Sequence, residues 1–600
     1  MKLSDYVIEF LVKQGVKHVF MLPGGGAMHL NDSLGEASRS GKIDFVCNLH
    51  EQASAMAAET YAKAIRGLGV CMVTTGPGGT NTVTAVAGAW LDSIPVLFIS
   101  GQAKRPDLKG DSGIRQGGLQ EVDIVSIVSP ITKYAVTVME PRDIRKILEK
   151  ALFEARSGRS GPVWVDIPLD VQAATIDPEK LEAFVPPPKI EPVDLPEKVR
   201  AAIELLNRSE RPVILAGNGI RLAHAEGELR KLMDLLQIPV LATWLSVDFF
   251  DYDDPLYIGK PGTVAPRGVN FTYQNCDLLL SIGSRVDTTL TAYAPGNLAR
   301  GAKKIIIDID PAELKKHSAI TEIAILSDAG DFLREFLKQK DLVRHPDRSA
   351  WWDRCRTWKK SWPLIDSSMR DPDKLVSVYN FADILSDELK DDELIASCSS
   401  GSAIEIFQHA LRMKKGQRLF HTSALGSMGY GLPAAIGACL GYGGRETVCV
   451  EGDGGIQMNI QELATVERLQ LPIKIFILSN NGYSSIRASQ KNWFGRVTAA
   501  DPASGMKLPD ITKVGAAYGL PVRRIADQSR LREEIREVLD IPGPIVCEVC
   551  CIPEEPRMPS VSSAQRKDGS LYSKPMEDLW PFLDREEFRA NMIVPPLPEE

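Results

Sequence analysis

Val448-Cys449-Val450-Glu451 is an apolar run that breaks into the turn Gly452-Asp453-Gly454-Gly455. A second apolar run follows, Leu471-Pro472-Ile473-Lys474-Ile475-Phe476-Ile477, and ends in Ser479-Asn480-Asn481-Gly482-Tyr483. The stretch between reads as helix, so the unit is strand, glycine turn, helix, strand. Strands that are apolar throughout, rather than alternating, belong to parallel sheets covered on both faces. The same rhythm occurs upstream: Val70-Cys71-Met72-Val73-Thr74, then Gly76-Pro77-Gly78-Gly79, a helical stretch, and Ile94-Pro95-Val96-Leu97-Phe98-Ile99. Gly76 to Gly101 is a step of 25 residues and Asp453 to Asn480 a step of 27. Each copy closes on a similar strand, Gly161-Pro162-Val163-Trp164-Val165-Asp166 and Gly543-Pro544-Ile545-Val546-Cys547-Glu548. Between the copies the rhythm returns as Val213-Ile214-Leu215-Ala216, Gly217-Asn218-Gly219, helix, and Ile238-Pro239-Val240-Leu241. The expected fold class is therefore α/β: three doubly wound parallel-sheet domains, two related ones flanking a central one.

At 600 residues the chain has room for three or four domains. Residues 185–196 hold five prolines in twelve positions, which no helix or central strand tolerates, and read as a linker. A softer, polar break lies near 340–375; within it Trp351, Cys355, Trp358 and Trp362 fall on one helix face, the pattern of a helix packed on a domain. The expected domains are 1–185, 197–340 and 375–555. A tail, 556–600, is expected to fold over the active-site mouth. Composition is that of a soluble globular protein, 44% hydrophobic and 25% charged. With 70 basic and 78 acidic residues the net charge is −8, which argues against nucleic-acid or anionic-membrane binding. Ten scattered cysteines are no disulfide scaffold, and Cys547 and Cys550 read as core thiols. No apolar run approaches the ~18 residues of a membrane span. Met1-Lys2-Leu3-Ser4-Asp5 enters an amphipathic helix without an apolar signal core, so a cytoplasmic location is expected.

In doubly wound sheets ligands bind at the carboxyl ends of the strands, where the glycine turns sit. Glycines let backbone N–H groups approach an anion, and a helix N-terminus favours negative charge. Asp453 in such a turn would repel a phosphate unless a cation stood between them. Mg²⁺ suits, since it takes hard oxygen ligands and bridges phosphates to one or two side chains. Adjacent parallel strands would bring Asn480 to the same sheet edge. The bland alternative, a tight turn with a capping aspartate, leaves Asn480 unused.

Gly452-Asp453-Gly454, 25 intervening residues and Asn480-Asn481 resemble the thiamine diphosphate signature. The resemblance extends over about residues 2–555. It includes His50-Glu51-Gln52-Ala53, Thr75-Gly76-Pro77-Gly78-Gly79-Thr80-Asn81, Asp92-Ser93-Ile94-Pro95, Gln120-Glu121-Val122-Asp123 and Gly426-Ser427-Met428-Gly429-Tyr430-Gly431. Gly283-Ser284-Arg285-Val286-Asp287 and Ile307-Asp308-Ile309-Asp310 extend it into the Rossmann-like central domain. These runs are similar to the acetolactate (acetohydroxyacid) synthase branch. The resemblance implies two thiamine-diphosphate-binding domains, with Asp453, Asn480 and the Gly482 carbonyl holding Mg²⁺. It implies a cofactor site made by Pro23, Glu51, Pro77, Gly401, Ser402, Gly426, Met428, Gly452, Asp453, Gly454, Gly455, Asn480, Gly482 and Tyr483. It implies Glu51, Gln120 and Gly26 as the catalytic set. Glu51 would share a proton with the aminopyrimidine ring, activating the cofactor's own internal base. Met428 would be the apolar wedge that bends the cofactor, and the Gly426 carbonyl would accept from its exocyclic amine.

The family removes CO₂ from a 2-oxo acid, here expected to be pyruvate, and leaves a two-carbon nucleophile. Simple decarboxylases of the superfamily protonate it with paired histidines; none of the eight histidines here adjoins another, which favours transfer to a second carbonyl. Three departures make the acceptor pocket more polar than in acetohydroxyacid synthases. Gln490 stands where that branch has tryptophan, Leu119 where it usually has phenylalanine, and Gly259-Lys260-Pro261-Gly262 replaces a Gly-Met-His-Gly run. The acceptor thus stays open between a small carbonyl compound and a nucleotide-linked keto-sugar, with simple decarboxylation as the further alternative. FAD also stays open: Gly217-Asn218-Gly219, Arg285 and Asp308 sit where the synthases hold a non-redox flavin. A dinucleotide-binding oxidoreductase would leave Asp453 and Asn480 unexplained, and the middle turn lacks a full Gly-x-Gly-x-x-Gly run. The family builds its site across subunits, so a homodimer or homotetramer is expected.

Overall fold

The computed structural model describes residues 1–188, 194–566 and 568–598. The expected linker at 185–196 is thus described only at its two ends; 189–193 lie outside the described residues.

Three six-stranded parallel sheets form the molecule. The first comprises β1 (His18–Met21), β2 (Asp44–Cys47), β3 (Gly69–Val73), β4 (Val96–Gln102), β5 (Tyr134–Thr137) and β6 (Val163–Pro168). Its spatial order is β2-β1-β3-β4-β6-β5. The central sheet comprises β7 (Pro212–Ala216), β8 (Val240–Ala242), β9 (Tyr257–Gly259), β10 (Leu278–Ile282), β11 (Lys303–Asp308) and β12 (Ile323–Leu326). It runs β12-β11-β10-β7-β8-β9, the 3-2-1-4-5-6 order of dinucleotide-binding folds read from the other edge. The third comprises β13 (Leu394–Ser397), β14 (Arg418–Phe420), β15 (Thr447–Gly452), β16 (Ile473–Ser479), β17 (Val522–Ile525) and β18 (Ile545–Cys550). Its order, β14-β13-β15-β16-β18-β17, repeats that of the first strand for strand. Val70 to Val73 and Val448 to Val450 are wholly buried, as apolar strands under two helical layers must be.

The first and third domains meet through two helices built from small residues. Glu51–Ile65 carries Ala53, Ala55, Ala57 and Ala58, and Gly431–Gly441 lies so close that a Cβ on Gly437 would stand 2.2 Å from the Ala57 carbonyl. At one end of this contact Lys63 bonds Glu59 (2.7 Å), Asp92 (3.1 Å) and the His421 carbonyl (2.9 Å). The central domain joins the third through Asp248, whose buried carboxylate accepts from Arg221 at 2.6 Å and Arg418 at 3.0 Å. The tryptophan stripe lies on the helix Ser349–Ser361 with Trp362 just past its end; Trp351, Cys355 and Trp358 are buried in the central domain's core, as a packed helix requires. Of the two cysteines on β18, Cys547 is a buried thiol, as expected, while Cys550 at the strand's end is only half-buried; among the described residues no group of three or more His, Cys, Asp and Glu is placed to hold a metal ion. No helix among them is long and apolar enough to cross a membrane.

The tail departs from expectation. Only its first residues lie by the candidate active site, where Arg557 pairs with Glu405. Beyond them the chain packs on the central domain: Glu577 accepts from Arg300 (2.6 Å) and Gln274 (2.7 Å), Asn591 from the Trp358 indole (2.8 Å), and Phe588 lies against Phe271. The tail's buried apolar and acidic residues find their partners there, and a loose cover over an open pocket would leave them exposed.

Candidate active site

In the third sheet the strand order reverses between β13 and β15, so the loops leaving these strands diverge and open a crevice. A pocket of about 340 Å³ lies there, lined among others by Gly401, Ser402, Met428, Asp453, Asn480 and Tyr483. Asp453 is held by backbone alone. Its Oδ1 accepts from the Gly454 N–H at 2.8 Å, and its Oδ2 from Asn480 and Gly482, both at 3.1 Å. Burial outweighs these bonds and pushes its pKa up to about 6. Asn480 is buried, and its Nδ2 donates to Ser402 Oγ and Ser484 Oγ, each at 3.3 Å. The two hydroxyls turn the amide so that Oδ1 is left buried without a partner. A carboxylate and an orphaned amide oxygen in one pocket are a hard-oxygen donor set suited to a small divalent cation.

Two glycines here are sterically required. A Cβ on Gly454 would stand 2.4 Å from the Tyr483 ring, and Gly482, at φ +124°, would drive one to 2.3 Å from the Ala500 carbonyl. Arg487 is buried beneath the loop and donates to the carbonyls of Asn480 (3.0 Å) and Asn481 (3.3 Å). Gly426 takes φ +67° above Ser399, and Gly452, Gly455 and half-buried Met428 complete the wall.

The first sheet brings its own set to the corresponding edge. Glu51 opens the helix Glu51–Ile65, is buried, and accepts from Asn81 Nδ2 at 2.9 Å. Neighbouring His50 is engaged as the cap, its Nδ1 accepting the Gln52 N–H. Gly26 donates its N–H to Thr74 Oγ1 at 3.1 Å, and a Cβ on it would collide with Thr75. Gln120 sits at φ +60°, its carbonyl so close to Gly76 that a Cβ there would approach to 2.3 Å. Pro23 and Pro77 are exposed at the ends of the same loops. Glu51, Gly26, Gln120 and Pro77 thus share one edge. None of them is among the described residues that line the third-domain pocket, whose walls come from that domain alone.

The central sheet has its own crevice at the β7/β10 switch, a cleft of about 920 Å³ lined among others by Asn218, Gly219, Trp244, Gly283, Arg285 and Asp308. Gly217 and Gly283 let the two turns touch, since a Cβ on Gly217 would lie 2.2 Å from the Gly283 carbonyl. Arg285 reaches across to the Leu91 carbonyl of the first domain at 3.1 Å. Burial raises the Asp308 pKa to about 6.

Sequence reasoning passed over Asn81, Ser484 and Arg487, which orient the residues it named. Asn81 lies in the glycine-rich turn after β3 and Ser484 four residues beyond Asn480, but neither spacing announces a contact. The buried bases Lys260, His409 and His421 gave no signal as a group, being far apart in the chain.

Three family descriptions match. Residues 1–127 match the N-terminal TPP binding domain of thiamine pyrophosphate enzymes, 199–336 their central domain and 399–549 their C-terminal TPP binding domain. The chain is 32% identical over 584 residues to the acetolactate synthase large subunit of Cyanidium caldarium, covering 94% of this chain and 96% of that one. It is 33% identical to the corresponding subunit of Parasynechococcus marenigrum (93% and 90% covered). It is 32% identical to a probable one from Methanocaldococcus jannaschii (92% and 93%).

Proposed function

The chain belongs to the thiamine pyrophosphate enzymes, of the acetolactate-synthase-like branch, and on that premise we propose a carboligase that decarboxylates a 2-oxo acid, with pyruvate as donor, and transfers the two-carbon acyl unit to a carbonyl acceptor. The observation that carries this reading is the pairing of the Asp453 carboxylate with the orphaned Asn480 Oδ1 at the switch point of the third sheet. There the two oxygens, with the Gly482 carbonyl, would hold Mg²⁺, and the glycine turn beside them would take the diphosphate. Thiamine diphosphate, when bound, supplies a carbanion equivalent that attacks a ketone and accepts electrons from the departing carboxylate.

The chain's own residues then have definite tasks. Glu51 holds the proton exchanged with the pyrimidine ring, and Asn81 fixes the carboxyl's orientation. Met428 and the Tyr483 ring shape the pocket. Gln120 and Gly26 present polar backbone and side-chain groups at the edge that faces substrate. Glu51 and the metal-side residues lie in different domains and the pocket wall is made by one of them; as members of this family build their site across subunits, the working unit is at least a dimer, with the first domain of one subunit completing the site of another. Light scattering at assay concentration tests this; an active monomer would refute it.

The acceptor is a small carbonyl compound or a nucleotide-linked keto-sugar. The observation favouring the sugar is Gln490, half-buried with its Oε1 taken by the Thr498 N–H, in place of an apolar ring. The central cleft of about 920 Å³, with its close-approach glycines and Arg285, is the candidate place for FAD, which stays open, and flavin absorbance of the purified protein tests it. Mass spectrometry of products from pyruvate with a panel of carbonyl acceptors tests the activity itself. New carbon–carbon bonds are expected, and acetaldehyde alone would leave a decarboxylase.

A further inference from the structure

Buried polar groups that lack partners gather around Trp244, at the junction of the central and third domains. Lys260, just past β9, is 6% exposed, and its Nζ stands 3.2 Å from the centre of the Trp244 ring. Its one hydrogen bond is a long one, 3.5 Å to the Gln408 carbonyl. No carboxylate pairs with it among the described residues, and burial drives its pKa well below the ordinary lysine value. His409, on the turn of helix Phe407–Ala410, is 7% exposed, and neither ring nitrogen has a partner. Burial and then the nearby Lys260 hold its pKa far down. His421, 1% exposed, meets the Trp244 carbonyl through Nε2 at 3.1 Å and leaves Nδ1 unpaired.

Native interiors pair nearly all such groups, and each orphan is destabilising. An aromatic face stabilises a buried ammonium far less than removal from water destabilises it. Lys260 and His409, two nitrogen bases with no acid beside them, are the complement of an oxyanion, which would let the amine ionise and give the His409 ring N–H an acceptor, while His421, whose Nε2–H already donates to the Trp244 carbonyl, stands behind them. Trp244 also lines the central cleft, as does Ser423, two residues past His421. Glu405, which ends the helix from pocket-lining Ser402, is followed at once by the turn that carries His409. We propose that Lys260 and His409, backed by His421, form a receptor for an oxyanion, a carboxylate or a phosphate, carried by a ligand of the central cleft. This goes beyond the carboligase reading and does not rest on the identity of the acceptor.

The test uses the full-length protein saturated with thiamine diphosphate and Mg²⁺, so that the diphosphate pocket is filled. The unfolding midpoint is followed against inorganic phosphate, acetate and chloride at matched ionic strength. Phosphate or acetate should raise it by a few °C over chloride; a rise with phosphate alone marks a phosphate-bearing ligand, and a rise with acetate a carboxylate. Lys260→Met and His409→Leu should each abolish the increment while leaving the anion-free midpoint at or above wild type, because an orphan has been removed. Arg285→Gln should keep the increment. Should Lys260→Met not fold, the wild-type increment and His409→Leu decide. No increment over chloride in the wild type, or one that persists unchanged in either variant, would overturn the proposal.

Discussion

The first and third sheets have the same strand order and differ in what stands at the turn after their third strand. After β3 the chain reads Gly76-Pro77-Gly78-Gly79; after β15 it reads Gly452-Asp453-Gly454-Gly455. Proline at one position and aspartate at the other divide the labour. The aspartate half offers a carboxylate and an orphaned amide oxygen, a place for a cation and a diphosphate. The proline half offers no acid in its turn, and its carboxylate, Glu51, comes from the loop after β2 and is held by Asn81. On the proposed function, topology sets where the cofactor sits, and single side chains at equivalent turns decide which end of it each sheet takes.

The comparison breaks most sharply at Glu51. Glu51→Gln can still accept the Asn81 Nδ2 hydrogen bond through its amide oxygen but exchanges a proton poorly. Since acid–base groups contribute about 10²–10⁴-fold, turnover of pyruvate should fall by that factor while calorimetry still shows the cofactor binding. Near-normal turnover would take the proline half out of the chemistry. Asp453→Ala attacks the other half. Losing one member of a buried charge pair costs about 3–5 kcal/mol, so thiamine diphosphate affinity in Mg²⁺ should drop by about 10²–10⁴-fold. Unchanged affinity in calorimetry would remove the metal assignment.

Two smaller effects sharpen the contrast on the closing strands. Asp166 on β6 and Glu548 on β18 hold equivalent positions. Asp166 is fully buried and takes only neutral donors, Ser100 Oγ at 2.5 Å, Gln102 Nε2 and Thr137 Oγ1, and burial pushes its pKa up to about 7. A carboxyl whose folded pKa lies above its unfolded one has stability in hand at low pH and loses it as pH rises through the folded value. The unfolding midpoint of Asp166→Asn relative to wild type should therefore move in the variant's favour by a few °C between pH 5 and pH 8. A pH-independent difference would mean that Asp166 is ionised throughout. Glu548 instead pairs at 2.6 Å with half-exposed Arg524 on the edge strand. Arg524→Gln should cost less than about 1 kcal/mol at any of these pH values, a shift that thermal melts would barely register.

Much of this was legible because backbone geometry dictates composition. Wholly apolar strands and glycine turns at near-equal spacing announced the three sheets, and Gly454 and Gly482 are glycines because a Cβ would strike Tyr483 or Ala500. The donor pair Asp453 and Asn480 was readable because adjacent parallel strands end at one edge. What stayed hidden depends on contacts between distant segments. The tail's seat on Arg300, Trp358 and Phe271 joins residues hundreds of positions apart. So does the meeting of Lys260, His409 and His421 around Trp244, since lone basic residues carry no periodicity.

The central claim is that the two halves act together across subunits. Co-expression of Glu51→Gln and Asp453→Ala chains, each inactive alone, tests it most directly. If the first domain of one chain completes the third-domain site of another, a mixed dimer holds one site with both wild-type residues. Random pairing should then restore about a quarter of wild-type turnover. If both residues serve a site within one chain, every site in the mixture lacks one of them, and activity at the level of the single variants would contradict the account.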